Sequence, residues 1–122
     1  MDDEPILLLT SRIDQGSLAR LVQEQYKDMV KYVVDVEQGI IAIGGEMHSD
    51  AEDVLLERGS AQKDVWGANY YPGKGPEACV EATSLINIRP SQGNRSMEIE
   101  DPATLRRVRE VTFDLVGRGE PL

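Results

Sequence analysis

Short apolar groups of changing period run along this chain, and each change of period marks a new element. Ile6-Leu7-Leu8-Leu9 is an unbroken apolar run with the length of a buried strand. After Asp14-Gln15-Gly16-Ser17, the residues Leu18, Leu21, Val22 and Tyr26 recur at helical spacing, with Asp14 or Ser17 available as the N-cap. From Met29 to Val36 the period drops to two. Val30, Tyr32, Val34 and Val36 alternate with Lys31 and Asp35, while Val33 adds apolar character to the second face. That pattern predicts a strand covered in part on both sides. Glu37-Gln38-Gly39 is a compact hairpin connection, and Ile40-Ile41-Ala42-Ile43 reads as the buried return strand.

Ser49-Asp50-Ala51-Glu52 has the spacing of a capping box, with Ser49 as N-cap and Glu52 at the third helical position. Ala51, Val54 and Leu55 supply the inner face of that helix, and Gly59 stops it. Val65 to Tyr71 predicts a strand, closed by the loop Pro72-Gly73-Lys74-Gly75-Pro76. Cys79 to Ala82 reads as strand or loop, and Leu85 to Ile88 as a strand. Asp101-Pro102 starts a last helix with Leu105, Val108, Thr112 and Leu115 inward and Gly117 at its end. The order β-α-β-β-α-β-β-α predicts an α+β fold: a mainly antiparallel sheet of four or five strands, with about three helices packed mostly on one face. The length of 122 residues suits one domain, with residues 1–4 and 118–122 frayed.

A net charge of −9 changes the range of partners more than it changes the fold. It repels nucleic acid and anionic membranes at long range, so neither is an expected partner. No apolar run approaches a membrane span. The single Cys79 excludes an internal disulfide framework and, with an acidic amino end lacking a signal-peptide basic region, suits the cytoplasm. Walker and Rossmann glycine patterns are missing, and no cofactor is called for.

Two polar segments could carry chemistry. The first is the loop after Leu85–Ile88, where Arg89, Ser91, Gln92, Asn94, Arg95 and Ser96 offer guanidinium, hydroxyl and amide donors around Gly93. Such a set can capture a compact anion, with the arginines bidentate on phosphate or carboxylate. It can equally satisfy the backbone of a long connection. The second is Gly44-Gly45-Glu46-Met47-His48-Ser49-Asp50. If the strand from Ile40 continues to His48, Glu46 and His48 share a face roughly 7 Å apart at Cα. His48 would then act as general acid or base, oriented by Glu46 or Asp50. The competing reading makes His48 a surface residue bonded to a neighbouring carboxylate. Glu46, His48 and Asp50 as metal ligands is a weaker third reading, because paired zinc-ligand patterns are absent. Trp66, Tyr70 and Tyr71 serve a stacking platform or, more in keeping with so few aromatics, the core.

The stretches G-G-E-M-H-S-D-A-E, W-G-A-N-Y-Y-P and S-L-I-N-I-R-P-S-Q-G-N-R-S, the last followed by E-D-P, resemble an uncharacterised family of prokaryotic proteins. The resemblance runs from about Asp28 to the last helix. It implies a small cytoplasmic protein and supplies no activity. It also implies that Glu46, His48, Asp50, Trp66, Asn69, Arg89, Ser91, Gln92, Asn94 and Arg95 form one recurring set. The functional expectation is a small anionic ligand bound where the Glu46-His48-Asp50 corner meets the Arg89–Ser96 loop, with acid/base catalysis by His48. The alternative is an interaction or homodimer module in which the same polar residues are structural.

Overall fold

The computed structural model describes residues 6–122; the expected fraying of residues 1–4 and the character of the amino end lie outside them. Eight main elements follow in order: β1 (Ile6–Leu9), α1 (Gln15–Gln25), β2 (Val30–Asp35), β3 (Ile40–Gly44), α2 (His48–Glu57), β4 (Val65–Tyr70), β5 (Val80–Glu81) and α3 (Pro102–Leu115). The strands form one antiparallel sheet in the order β1-β3-β2-β4-β5. The fold is α+β, as the element order predicts.

Side chains alternate across each strand, so the sheet sorts its apolar residues onto two faces. Tyr32, Val34, Ile41, Ile43, Trp66 and Tyr70 point to one face. There they meet Leu18, Leu21 and Val22 of α1 and Val108, Val111 and Leu115 of α3. Val33, Ala42 and Val65 point to the other face and pack on Ala51 and Leu55 of α2. Two of the three helices thus share a face. Full burial of each such side chain stabilises by about 1.5–3 kcal/mol, which is why the two-residue period of β2 sets its orientation. A polar pair deep in the larger core is satisfied: the Thr112 hydroxyl donates to Val108 O at 2.7 Å and accepts from the Tyr32 hydroxyl at 2.7 Å.

Local signals place most boundaries. Asp14 caps α1 by accepting from Ser17 N, and Asp101 caps α3 by accepting from Thr104 N. At the β2–β3 turn, the buried Asp35 carboxylate accepts from Glu37 N and Gln38 N, both at 2.9 Å, and from Ser60 Oγ at 2.6 Å.

Three expectations need correction. Strand β3 ends at Gly44, so Glu46 and His48 do not alternate along it. Gly44 and Gly45 adopt φ of 111° and 87°, a left-handed turn that side chains disfavour, and they swing the chain directly into α2. That helix begins at His48 with Met47 as N-cap, not at Ser49. Glu52 therefore lies beyond the first turn, buried against Arg89, and cannot close a capping box. Leu85–Asn87 is a single 3₁₀ turn instead of a strand, with Leu85 and Ile88 exposed. In the segment after Gly117, Gly119 N donates to the Tyr70 hydroxyl at 2.8 Å, and Gly73 N donates to Glu120 O at 3.0 Å.

Candidate functional site

The Arg89–Ser96 loop is bonded inward. Buried Arg89 donates through Nε to Ile86 O at 3.0 Å and through Nη2 to Val65 O, and its guanidinium lies 4.6 Å from the Trp66 ring centre. Its carboxylate neighbour is Glu52 at 3.6 Å. Burial pushes the Arg89 pKa down, and the nearby Glu52 charge opposes that shift. Asn94 holds the loop from inside. Its Nδ2 serves Asn87 O, Ser96 O and Glu98 O at 2.8–3.0 Å, while Oδ1 accepts from Glu100 N at 2.8 Å. Gln92 donates to Lys63 O at 3.1 Å.

An anion does sit on this loop, and it is the protein's own. Glu100 Oε2 accepts from Arg95 N, Ser96 N and Ser96 Oγ at 2.9–3.0 Å. Those bonds, the Ser96 hydroxyl first, hold the Glu100 carboxyl below its ordinary range. Ser91 and Arg95 stay exposed. The adjoining hollow of about 580 Å³ is lined by Gln92, Gly93, Asn94 and Trp66, but also by Asp64, Glu100 and Asp101 against only Lys63. That balance of charge repels an external anion.

His48 sits elsewhere, as the first residue of α2 over β4. Its Nε2 lies 2.9 Å from Ala68 O and 3.0 Å from Asn69 Oδ1. Asn69 Nδ2 in turn donates to Glu81 Oε1 at 2.8 Å, which also receives the Tyr71 hydroxyl at 3.0 Å. Because a carboxylate only accepts, Glu81 turns the Asn69 amide so that its oxygen faces the imidazole. Two acceptors at Nε2 place the ring proton there and leave the Nδ1 lone pair open. Burial pushes the His48 pKa below the ordinary imidazole value. Its bonds to Ala68 O and Asn69 oppose the shift, while the Lys31 charge reinforces it. The positive end of the α2 dipole acts in the same direction as Lys31.

His48 opens on a cleft of about 460 Å³. Its walls are Met47, Leu85, Ile86 and Met97, and its polar groups besides His48 include Lys31, Ser49, Asn69, Thr83 and Ser84. Gly67 makes the back wall possible, because a Cβ there would lie 2.7 Å from Ser84 Cβ. Glycine at this point lets the 84–87 turn rest on β4.

Glu46 and Asp50 are exposed, and among the described residues neither is a partner of the His48 ring. No group of three or more His, Cys, Asp or Glu side chains among the described residues is placed to hold a metal ion. The corner and the loop also fail to converge. Arg89 is anchored at Val65 and His48 at Ala68 and Asn69, on opposite parts of β4, roughly 10 Å apart at about 3.3 Å per residue. The loop residues Gln92, Gly93 and Asn94 line one cavity and His48 another, with no lining residue in common. Sequence reading missed Glu81 and Lys31 as neighbours of His48. The alternation that put Lys31 on the polar face of β2 was the available signal, because that face is where α2 begins; Glu81 carried none.

A family model described as a protein of unknown function, DUF5674, matches residues 7–115. No curated protein and no solved structure shows a significant match to the chain. No helix among the described residues is long and apolar enough to cross a membrane.

Proposed function

The chain belongs to the DUF5674 family, and we propose that it binds a small ligand in the cleft over His48, with the imidazole as a neutral acceptor or general base. The observation that carries this reading is the chain of bonds Glu81–Asn69–His48, which orients a half-buried imidazole at the mouth of an apolar cleft. A group so oriented accepts a proton or hydrogen bond from a ligand O–H or N–H at Nδ1. The cleft volume lies within the ordinary range for small-molecule sites, and apolar walls with few convergent polar groups are their usual chemistry. In this reading the Arg89–Ser96 loop is scaffold. It holds the 84–87 turn, and hence the cleft wall, against β4.

Amide chemical-shift mapping with a set of small polar aromatic fragments tests the proposal. Binders should shift the signals of His48, Asn69 and Ser84, and His48→Gln should weaken them. Shifts confined to Arg89–Ser96 would overturn it.

A second reading has one observation in its favour. Met47, Leu85 and Met97 are 56%, 69% and 40% exposed around the same cleft, a rim suited to a second copy of this chain. Sedimentation over a range of concentration separates the two: a dimer that Leu85→Asp dissociates supports the interface, and a monomer throughout rejects it.

A further inference from the structure

We infer that the cleft over His48 takes an organic monoanion, an apolar body with one carboxylate-like head, and that Lys31 is the counter-charge of that head. The inference rests on the reading of this cleft as a ligand site and adds the ligand's chemistry. Three observations support it. First, Lys31 and Asn69 are direct partners in the β2–β4 register, so the Lys31 stem runs beside the residue that holds His48. Cross-strand neighbours have Cβ atoms about 4.5–5.5 Å apart, which puts the ammonium within reach of the cleft mouth. Second, among the described residues Lys31 has no carboxylate within ion-pair distance, although the chain carries 22 acidic residues against 13 basic ones. Its amine lies 5.3 Å from the centre of the Tyr26 ring, and the Tyr26 hydroxyl is itself tied to Glu46 O at 3.0 Å. The cation is thus positioned by an aromatic face and makes no ion pair among the described residues, while the nearest carboxylate in the strand register, Glu81, is held by the Asn69 amide and the Tyr71 hydroxyl. Third, the other walls are Met47, Leu85, Ile86 and Met97. Methionine is flexible and polarizable and adapts to apolar ligands of varied outline.

The two halves of the ligand follow from the two halves of the cleft. The apolar walls bury a hydrocarbon or aromatic body. The head meets Lys31, and a hydroxyl or N–H on the ligand meets the His48 Nδ1 acceptor. The charge of the whole chain does not forbid this, because screening over about 8 Å at physiological salt leaves a small anion governed by its nearest charge. An anionic bilayer, by contrast, presents many charges to the full −9 and is repelled, so the head belongs to a free molecule.

The test uses the full chain and the fluorescent probe anilinonaphthalene sulfonate, displaced by decanoate or by the uncharged decanol. Wild type, Lys31→Gln and Leu85→Asp are compared, each first checked by its melting temperature. The expected result is displacement by decanoate at about tenfold lower concentration than by decanol, a preference that Lys31→Gln removes. Leu85→Asp should weaken both competitors about tenfold. Equal displacement by the two competitors, unchanged in Lys31→Gln but weakened in Leu85→Asp, would overturn the anionic head and leave the cleft reading standing. No probe binding to wild type, or binding that Leu85→Asp leaves intact, would overturn the cleft reading and the inference together.

Discussion

The side-chain amide of Asn87 pairs with both backbone groups of Gly67: Oδ1 accepts from Gly67 N at 2.9 Å and Nδ2 donates to Gly67 O at 3.0 Å. Beyond the two-residue β5, the outer edge of β4 has no further strand among the described residues, and these contacts take its place. Arg89 does the same at Val65 O. An unpaired buried backbone group is costly, so side chains that imitate a strand keep the edge closed. Asn87→Asp keeps the acceptor and loses the donor to Gly67 O and Met97 O. A loss of about 2 kcal/mol in urea denaturation is expected, since a buried acceptor without a partner costs about 1–3 kcal/mol.

Gly67→Ala tests the close approach of the same turn. The added methyl would meet Ser84 Cβ at 2.7 Å and Oγ at 2.8 Å. Ser84 and the 84–87 turn must shift, so the variant should lose about 1–3 kcal/mol by overpacking and change the amide shifts of Ser84 to Asn87. Unchanged stability and shifts would show that the turn gives way freely.

Asn94 and Arg95 should behave oppositely although they are neighbours. Asn94→Ala removes the donor to three carbonyls and the acceptor for Glu100 N. A loss of about 3 kcal/mol is expected from several buried groups left unpaired. Arg95 is exposed and contributes its backbone N–H, so Arg95→Ala should stay within about 0.5 kcal/mol of wild type. A large loss for Arg95→Ala would restore the arginine side chain as a working part of the loop.

His48 predicts an acid-sensitive fold. Its pKa is lowered in the folded state, so the unfolded chain takes up the proton first as pH falls below about 6.5. The stability linked to the neutral ring is present above that pH and is lost as pH falls toward the folded value. Melting temperature should therefore drop between pH 7 and 5 in wild type and drop less in His48→Gln. Nuclear magnetic resonance should show the imidazole titrating below 6.5 with the proton on Nε2. Glu81→Ala should release Asn69 and mix the tautomers.

Glu100 works with the same sign through a different cause. Its carboxyl is held low by the Ser96 hydroxyl and the Arg95 and Ser96 N–H groups, so its contribution is present above about pH 4.5 and is lost as pH falls through the folded value. Hydrogen exchange of the Arg95 and Ser96 amides, corrected for intrinsic rate, should lose protection over that range in wild type. Glu100→Gln should lack the protection at neutral pH.

The sequence alone was enough for the elements whose signals are local. The two-residue period of β2, the Asp14 and Asp101 caps and the Glu37-Gln38-Gly39 turn each act within a few residues, and each stands where its pattern predicts. Ser49-Asp50-Ala51-Glu52 shows the limit of a local signal. Its capping spacing is genuine, but burial of Glu52 beside Arg89, 37 positions away, and the turn at Gly44 and Gly45 set a different start.

The polar loop was legible as a dense set of donors, and its composition alone left two uses open. Tertiary structure supplies those donors with acceptors: Val65 O and Lys63 O from more than twenty residues away, and the Glu100 carboxylate from five residues on. His48 was legible as the lone histidine at a strand-to-helix corner, with Glu46 and Asp50 as its expected partners. Its actual partners, Ala68, Asn69 and through it Glu81, reach it only because β2, β4 and β5 lie side by side. Hydrophobic period and caps are properties of neighbouring residues, so the chain by itself determined the α+β elements. Which donor meets which acceptor depends on strand order, and that the packed sheet alone decided.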